Sequence, residues 1–287
     1  MDMAGRKLPT VRLRRLAGEL RRLREAAGLS REAVTAKTGL DESSIYRVET
    51  AQTRPQRRTV LALLGTYGIT DPAKVDELVE LAKTAGQPGW VQTYEEYLPE
   101  QYTVYIGFEG EASSLSNYET VFVPGLLQTE DYARAVIHGV VPAISDEQVQ
   151  QRVEVRMRRQ DVFKRPDPMQ FWAVIDEAAI HRQVGGLDVM RAQLQHLVAA
   201  AKAPHITLQV VPFGAGAHPG MPGSFVVMEF PDPSDPALVY TDSMAGDLFL
   251  EKESDVQRYR ATFQQLTAQA LSPADSRKII QKALKPA

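Results

Sequence analysis

Leu13, Leu16, Leu20 and Leu23 recur at spacings of three and four with arginines between them. That rhythm predicts an amphipathic helix over 11–27, stopped by Gly28. Ser30 stands where an N-cap is wanted, with Ala33 and Val34 as the inward positions of a short second helix ending at Gly39. Asp41 caps a third helix whose buried positions are Ile45 and Val48, with Glu49 near its end, and Pro55 bars its continuation. Val60, Leu61, Leu63 and Leu64 mark a fourth helix closed by Gly68. Asp71 and Pro72 open a fifth that runs to Ala85.

The pattern then changes. "GQPGW" at 86–90 breaks the chain, which predicts a domain over 1–85, a linker over 86–97 and a second domain over 98–287. A helix over 98–112 is followed by a turn and a short apolar piece, "TVFVPGLLQ". A helix over 130–138 follows the Thr129 cap. "SDEQVQQRVEVRMRRQDVF" opens with a capping box, Ser145 and Gln148, and carries an inward stripe of Val149, Val153 and Met157. "MQFWAVIDE", "HITLQVVPF", "GSFVVMEF" and "ALVYTD" read as strands. Helices are expected over 187–201, 258–271 and 273–284. The fold class expected is mainly α plus α+β: five helices, then an α+β domain with a mixed sheet.

Charge sharpens the division. Through Gly68 there are 14 Lys/Arg against 7 Asp/Glu, a net of +7, whereas the remainder is at −10 within a total of −3. Such asymmetry suggests that the first part meets a polyanion, a basic solvated face being the alternative. No apolar run approaches the roughly 18–20 residues of a membrane helix, and the polar, basic N-terminus does not read as a secretory signal. With no cysteine, disulfides and Cys-containing zinc sites are excluded. A cytoplasmic, nucleoid-associated location is expected.

Two short helices around a Gly turn are the layout of a helix-turn-helix reader, whose second helix puts its N-terminal side chains at base edges. With Ile45 and Val48 facing inward, Glu42, Ser43, Ser44, Tyr46 and Arg47 are the candidate DNA contacts. A hydroxyl can donate or accept at either base edge, and an Arg can grip guanine O6 and N7. Arg54, Arg57 and Arg58 are expected to track phosphates. Arg6, Lys7, Arg12, Arg14 and Arg15 either clamp a phosphate or stay disordered.

"GLSREAVTAKTGLDESSIYRVETAQTRP" resembles the lambda-repressor-like family of xenobiotic-response-element regulators, matching at Leu29, Ser30, Glu32, Gly39, Ile45, Arg47, Glu49 and Pro55. It departs at Arg31, Tyr46 and Ala51, where Gln, Ser and Gly are usual. The resemblance puts Arg31 at a phosphate-contacting position. For this class, pairing as a homodimer on an inverted-repeat operator in double-stranded DNA is expected.

"FVPGLLQTEDYARAV", "RMRRQDVF", "VIDEAAIHRQVGG", "QLQHLVAAAK" and "LQVVPFGAGAHPGMPGSFVVMEF" resemble the effector domain of a regulator family abundant in spore-forming, antibiotic-producing bacteria. That resemblance implies an antitoxin-like or developmental transcriptional regulator, with a small partner protein encoded nearby. Arg152, Arg156 and Arg159, at i, i+4 and i+7, share one helix face, expected to dock that partner beside Pro124, Gly125, Leu126, Leu127 and Gln128. His218, in a Gly-rich loop, is a further candidate for a partner or ligand site. The alternative is a small-molecule or weakly catalytic pocket around Asp176, Glu177 and His181, with His205 or His218 as a guessed third ligand. The preferred reading is acids at a helix N-terminus with a polar His behind them, so no catalytic residue, metal or cofactor is expected.

Overall fold

A computed structural model describes residues 10–85, 90–141, 143–232, 235–243 and 246–284. The chain forms two compact units, Met1–Gln92 with Asp232–Asp235, and Thr93–Pro231 with Pro236–Ala287.

The first unit is helical: α1 (Val11–Ala26), α2 (Arg31–Thr38), α3 (Glu42–Glu49), α4 (Arg57–Thr66) and α5 (Pro72–Thr84). Short-range chemistry sets its boundaries. The side chains of Thr10, Ser30, Asp41 and Asp71 each accept a first-turn backbone N–H, which satisfies donors the helix cannot use itself. Gly39 closes α2 in the left-handed region, φ 72°, and turns the chain into α3. Leu16, Leu20, Leu23, Val34, Ile45, Val48, Val60, Leu63, Leu64 and Leu78 form one core. None of these helices exceeds 16 residues, so packing of their apolar faces, rather than propensity, holds them.

The second unit begins with α6 (Glu100–Glu111), β1 (Ser114–Glu119), α7 (Glu130–Val140) and α8 (Asp146–Arg159). Next come β2 (Gln170–Asp176), α9 (Glu177–His181), α10 (Leu187–Ala200) and β3 (Ile206–Val211). β4 (Phe225–Glu229), β5 (Leu238–Thr241), β6 (Leu248–Leu250), α11 (Glu253–Gln269) and α12 (Pro273–Ala283) complete it. The sheet order is β3-β2-β1-β4-β5-β6. β1, β2 and β3 run parallel, and β4, β5 and β6 add on antiparallel. It is a mixed sheet in an α+β unit, as expected. Tyr118, Val174, Val211, Phe225, Val227 and Val239 pack on one face against Val256, Phe263 and Leu266 of α11.

Two expectations need correction, and one strand carried none. β1 was expected as a turn, because "SLSNYE" lacks an apolar run. It forms a central strand since β2 and β4 satisfy its backbone on both sides. β6, three residues long, carries too little pattern to read. The helix expected from 258 starts at Glu253, with Val256 as an additional buried position.

After α3 the chain turns sharply. Gln52 N donates to Arg47 O at 2.7 Å and Ala51 N to Val48 O at 3.1 Å. These paired bonds define a C-terminal motif that favours Gly at the left-handed position. Here Ala51 occupies it, at φ 55°. A Cβ in that region costs about 1 kcal/mol. Ala51→Gly is therefore expected to stabilise the helical unit by up to about 1 kcal/mol, read as a higher urea midpoint. A lower midpoint would show that the buried Ala51 methyl outweighs the backbone relief.

Candidate nucleic-acid interface

α3 is oriented by what it buries. Ile45 and Val48 lie in the core, and the Glu49 carboxylate beside them is fully enclosed. Arg24 of α1 reaches it through Nε to Oε1 at 2.6 Å and Nη2 to Oε2 at 3.2 Å. Arg31 of α2 donates Nε to Oε2 at 2.8 Å. Arg24 also donates Nη1 to Leu29 O at 2.7 Å. One buried acid thus ties three helices together. The sequence placed Glu49 near a helix end but carried no sign of these partners, which lie 25 and 18 residues away.

With that side fixed, Glu42, Ser43, Tyr46 and Arg47 are exposed and Ser44 half-exposed. Ser43 and Ser44 sit in the first turn, where Asp41 caps the helix. Arg47 reaches back along the face, Nη1 to Ser43 Oγ at 3.1 Å and Nη2 to Ser44 Oγ at 2.8 Å. The Ser43 and Ser44 hydroxyls hold the Asp41 carboxyl well below the usual carboxylate range, so Asp41 stays charged. The Arg31 guanidinium lies over the Tyr46 ring, 5.3 Å from its centroid, and attraction to the ring's negative face holds Tyr46 toward α2. Arg54, Arg57 and Arg58 are exposed, and no ion pair engages them among the described residues. Arg6 and Lys7 lie outside the described residues.

Residues 102–282 match the family described as a domain of unknown function, DUF5753, over more than half of the chain. The chain belongs to that family. Residues 15–78 match a helix-turn-helix domain, the span that holds α2, its turn and α3, which supports a DNA-binding regulator. No curated protein and no solved structure matches the chain.

In the DUF5753 span the expected docking face is corrected. Arg159 is buried, its Nε and Nη2 gripping Glu109 Oε1 and Oε2 at 2.7 and 2.6 Å. Its Nη1 donates to Tyr102 Oη. Arg152 donates Nε to Tyr97 O at 2.8 Å, and Arg156 donates Nη1 to Gln128 Oε1 at 2.9 Å. These guanidiniums therefore bond neighbouring elements: a matched carboxylate fork allows Arg159 to be buried, while Arg152 and Arg156 are half-buried. Gly125 packs closely beside them: a Cβ there would lie 3.2 Å from Arg159 Nη1, which would have to shift by a few tenths of an ångström.

Pro124, Leu126, Leu127 and Gln128 are buried as well. Gln128 Nε2 donates to Val123 O at 2.7 Å, and Gln193 Nε2 donates to Leu127 O at the same distance. The segment is a packed corner of the core.

Asp176 and Glu177 take separate histidines. Asp176 Oδ1 accepts the Ala178 N–H at 2.8 Å as the cap of α9, and its Oδ2 lies 3.3 Å from Nε2 of the buried His218. Glu177 Oε1 lies 3.3 Å from His181 Nε2, and Glu177 Oε2 accepts Phe213 N at 2.7 Å. His205 precedes β3 at the far end of the sheet from Asp176, which pairs with Val211. No group of three or more His, Asp or Glu able to hold a metal occurs among the described residues. No helix among them is long and apolar enough to cross a membrane.

Two consequences can be measured. Glu49→Ala leaves Arg24 enclosed without its carboxylate, and a loss of about 3 kcal/mol is expected in chemical unfolding of the helical unit. The second concerns Glu119, at the end of β1. Burial raises its pKa from 4.5 to about 7, with the nearby Asp242 adding to the shift, while the Ser224 hydroxyl opposes it. The folded state then holds this proton more tightly than the unfolded chain. Stability from Glu119 is present at pH values below 4.5 and is lost as pH rises to about 7. Glu119→Gln, which cannot ionise, is expected to lose that decline, so its advantage over the wild type should grow from pH 4.5 to pH 8 in thermal melts. Parallel profiles would place the titration elsewhere.

Proposed function

We propose that the chain is a lambda-repressor-like transcriptional regulator that pairs as a homodimer on an inverted-repeat operator. Residues 1–85 read DNA, 86–97 join the parts, and 98–287 sense a small partner protein or a ligand. It acts in the cytoplasm on the nucleoid, as an antitoxin-like or developmental regulator.

The observation that carries the reading is the split character of α3. Ile45, Val48 and Glu49 commit one side to the core, so Ser43, Tyr46 and Arg47 are left to solvent at the end of the helix that enters a groove. Arg47 is the base reader. Arg31 keeps its Nη groups for a phosphate while Nε is held by Glu49. Arg54, Arg57 and Arg58 lie along the exit from α3 and at the start of α4, where exposed cations neutralise backbone phosphates. A sensing role for the second part is supported by its separate core and by the acidic balance of the chain beyond Gly68, which does not favour a polyanion.

Substitutions separate the two kinds of contact. Arg47→Ala should cost about 1–3 kcal/mol on the selected operator and relax preference at one position. Arg57→Ala and Arg58→Ala should weaken binding to every sequence and each lower the salt slope by about one unit. Fluorescence anisotropy on operator and shuffled duplexes, across a salt series, distinguishes them. Equal, sequence-independent losses for all three variants would remove Arg47 from the base-reading role.

A further inference from the structure

The first turn of α3 holds a closed hydrogen-bond network with a definite direction. Asp41 Oδ1 accepts from Ser43 Oγ at 2.5 Å and from Ser44 N at 2.8 Å, and Oδ2 accepts from Ser44 Oγ at 2.6 Å. Each serine oxygen in turn accepts from Arg47, through Nη1 and Nη2 respectively. A hydroxyl has one proton to give. An ionised carboxylate can only accept, and a guanidinium can only donate. Both serine protons must therefore lie on the Asp41 side, which leaves Ser43 and Ser44 facing outward as acceptors.

We propose that Asp41 is a positioning residue for base recognition, holding Ser43 and Ser44 as acceptors beside the Arg47 donors so that together they select a G·C pair. This rests on the reading of α3 as the DNA-reading helix. The selectivity follows from the major-groove pattern. Read from guanine, a G·C pair offers two acceptors, N7 and O6, and then the cytosine N4 donor. Arg47 supplies donors for the first two, and a serine oxygen stripped of its own donor supplies the acceptor for the third. An A·T pair offers acceptor, donor, acceptor in the same direction, which meets this array with one mismatched donor and one mismatched acceptor. Asp41 also holds Arg47 indirectly, because serines whose protons are committed elsewhere are better acceptors for its guanidinium. Ser43 and Ser44 thus have a fixed polarity that their side chains alone do not impose.

The experiment uses the 287-residue chain and a randomised duplex library, followed by anisotropy on the selected site and on a shuffled duplex. The wild type should select a G·C pair at the position facing the start of α3. Asp41→Asn keeps an acceptor for the Ser44 N–H, and Asn caps helices as well as Asp. Its amide cannot accept both serine protons as the carboxylate does, so one hydroxyl is released to donate. The preference for G·C at that position is expected to fall about fivefold to tenfold, within the range of one good base contact. Affinity for the shuffled duplex should stay level or rise, since a negative charge has left the neighbourhood of the phosphates. Ser43→Ala, which leaves Asp41 capping Ser44, should show the same direction of loss and guards against a folding defect in the first variant.

A wild type that selects DNA while both variants keep its base profile overturns the positioning role and leaves the DNA-reading role standing. A loss shared equally by selected and shuffled DNA also overturns it, because a simple capping role predicts that result. A wild type that binds no duplex overturns the reading of α3 itself, and this inference with it.

Discussion

The helical unit depends on where one carboxylate is buried. Glu49 sits at the junction of α1, α2 and α3 and takes three arginine N–H groups from two other helices. Desolvating these charges is costly, and such a pair is not by itself a source of net stability. Its value is geometric. A carboxylate satisfied on both oxygens by guanidiniums from different helices accepts only one rotation of α3 about its axis. Hydrophobic contact through Ile45 and Val48 tolerates small rotations, whereas this arrangement leaves a buried charge unpaired if the helix rolls. The outward direction of Ser43 and Arg47 is thereby fixed from the inside.

The second unit uses the same device with a different outcome. Arg159 and Glu109 are both enclosed, and their fork-to-fork contact ties α8 to α6. Tyr102 accepts the remaining approach, and the Tyr105 ring lies 5.1 Å from the guanidinium. On α3 the arginines that matter for the fold come from neighbouring helices, and the helix's own Arg47 stays wet. On α8, Arg152, Arg156 and Arg159 bond to other parts of the fold. Each helix carries arginine beside an apolar stripe, yet Arg47 of α3 is exposed whereas Arg159 of α8 is enclosed.

That contrast marks the limit of what the sequence makes legible. Local rules were readable: Ser30, Asp41, Asp71 and Ser145 cap helices where their spacing placed them, because a cap needs only the next few residues. Apolar runs gave β2 to β5 for a similar reason. β1 was not readable, since its ladder comes from β2 and β4, more than fifty residues downstream at Gln170 and beyond one hundred at Phe225. Periodicity told that Arg152, Arg156 and Arg159 share a face. It could not tell that Glu109, Tyr97 and Gln128 cover that face, because pairing across 28 to 55 residues leaves no local trace. At the candidate interface the outward positions were legible from Ile45 and Val48, but the link through Asp41 was hidden behind its role as a cap.

Paired and unpaired cations are unevenly distributed over the basic segment. On α1, Arg21 pairs with Glu25 and Arg22 with Glu19 one turn away, and Lys74 of α5 reaches both Glu19 and Glu77. Such exposed pairs contribute little to stability, but they cancel the local field. Arg24 and Arg31 share the single charge of Glu49. Directly after α3, Arg54, Arg57 and Arg58 are exposed, and none is ion-paired among the described residues. The segment's net of +7 is therefore not spread evenly over its surface. Ion pairs lower the field around α1, whereas Arg54, Arg57 and Arg58 carry none among the described residues, so their field and the hydrogen-bonding face of α3 come from the same stretch of chain. An exposed cationic stretch beside a hydrogen-bonding helix face is the combination that polyanion recognition uses.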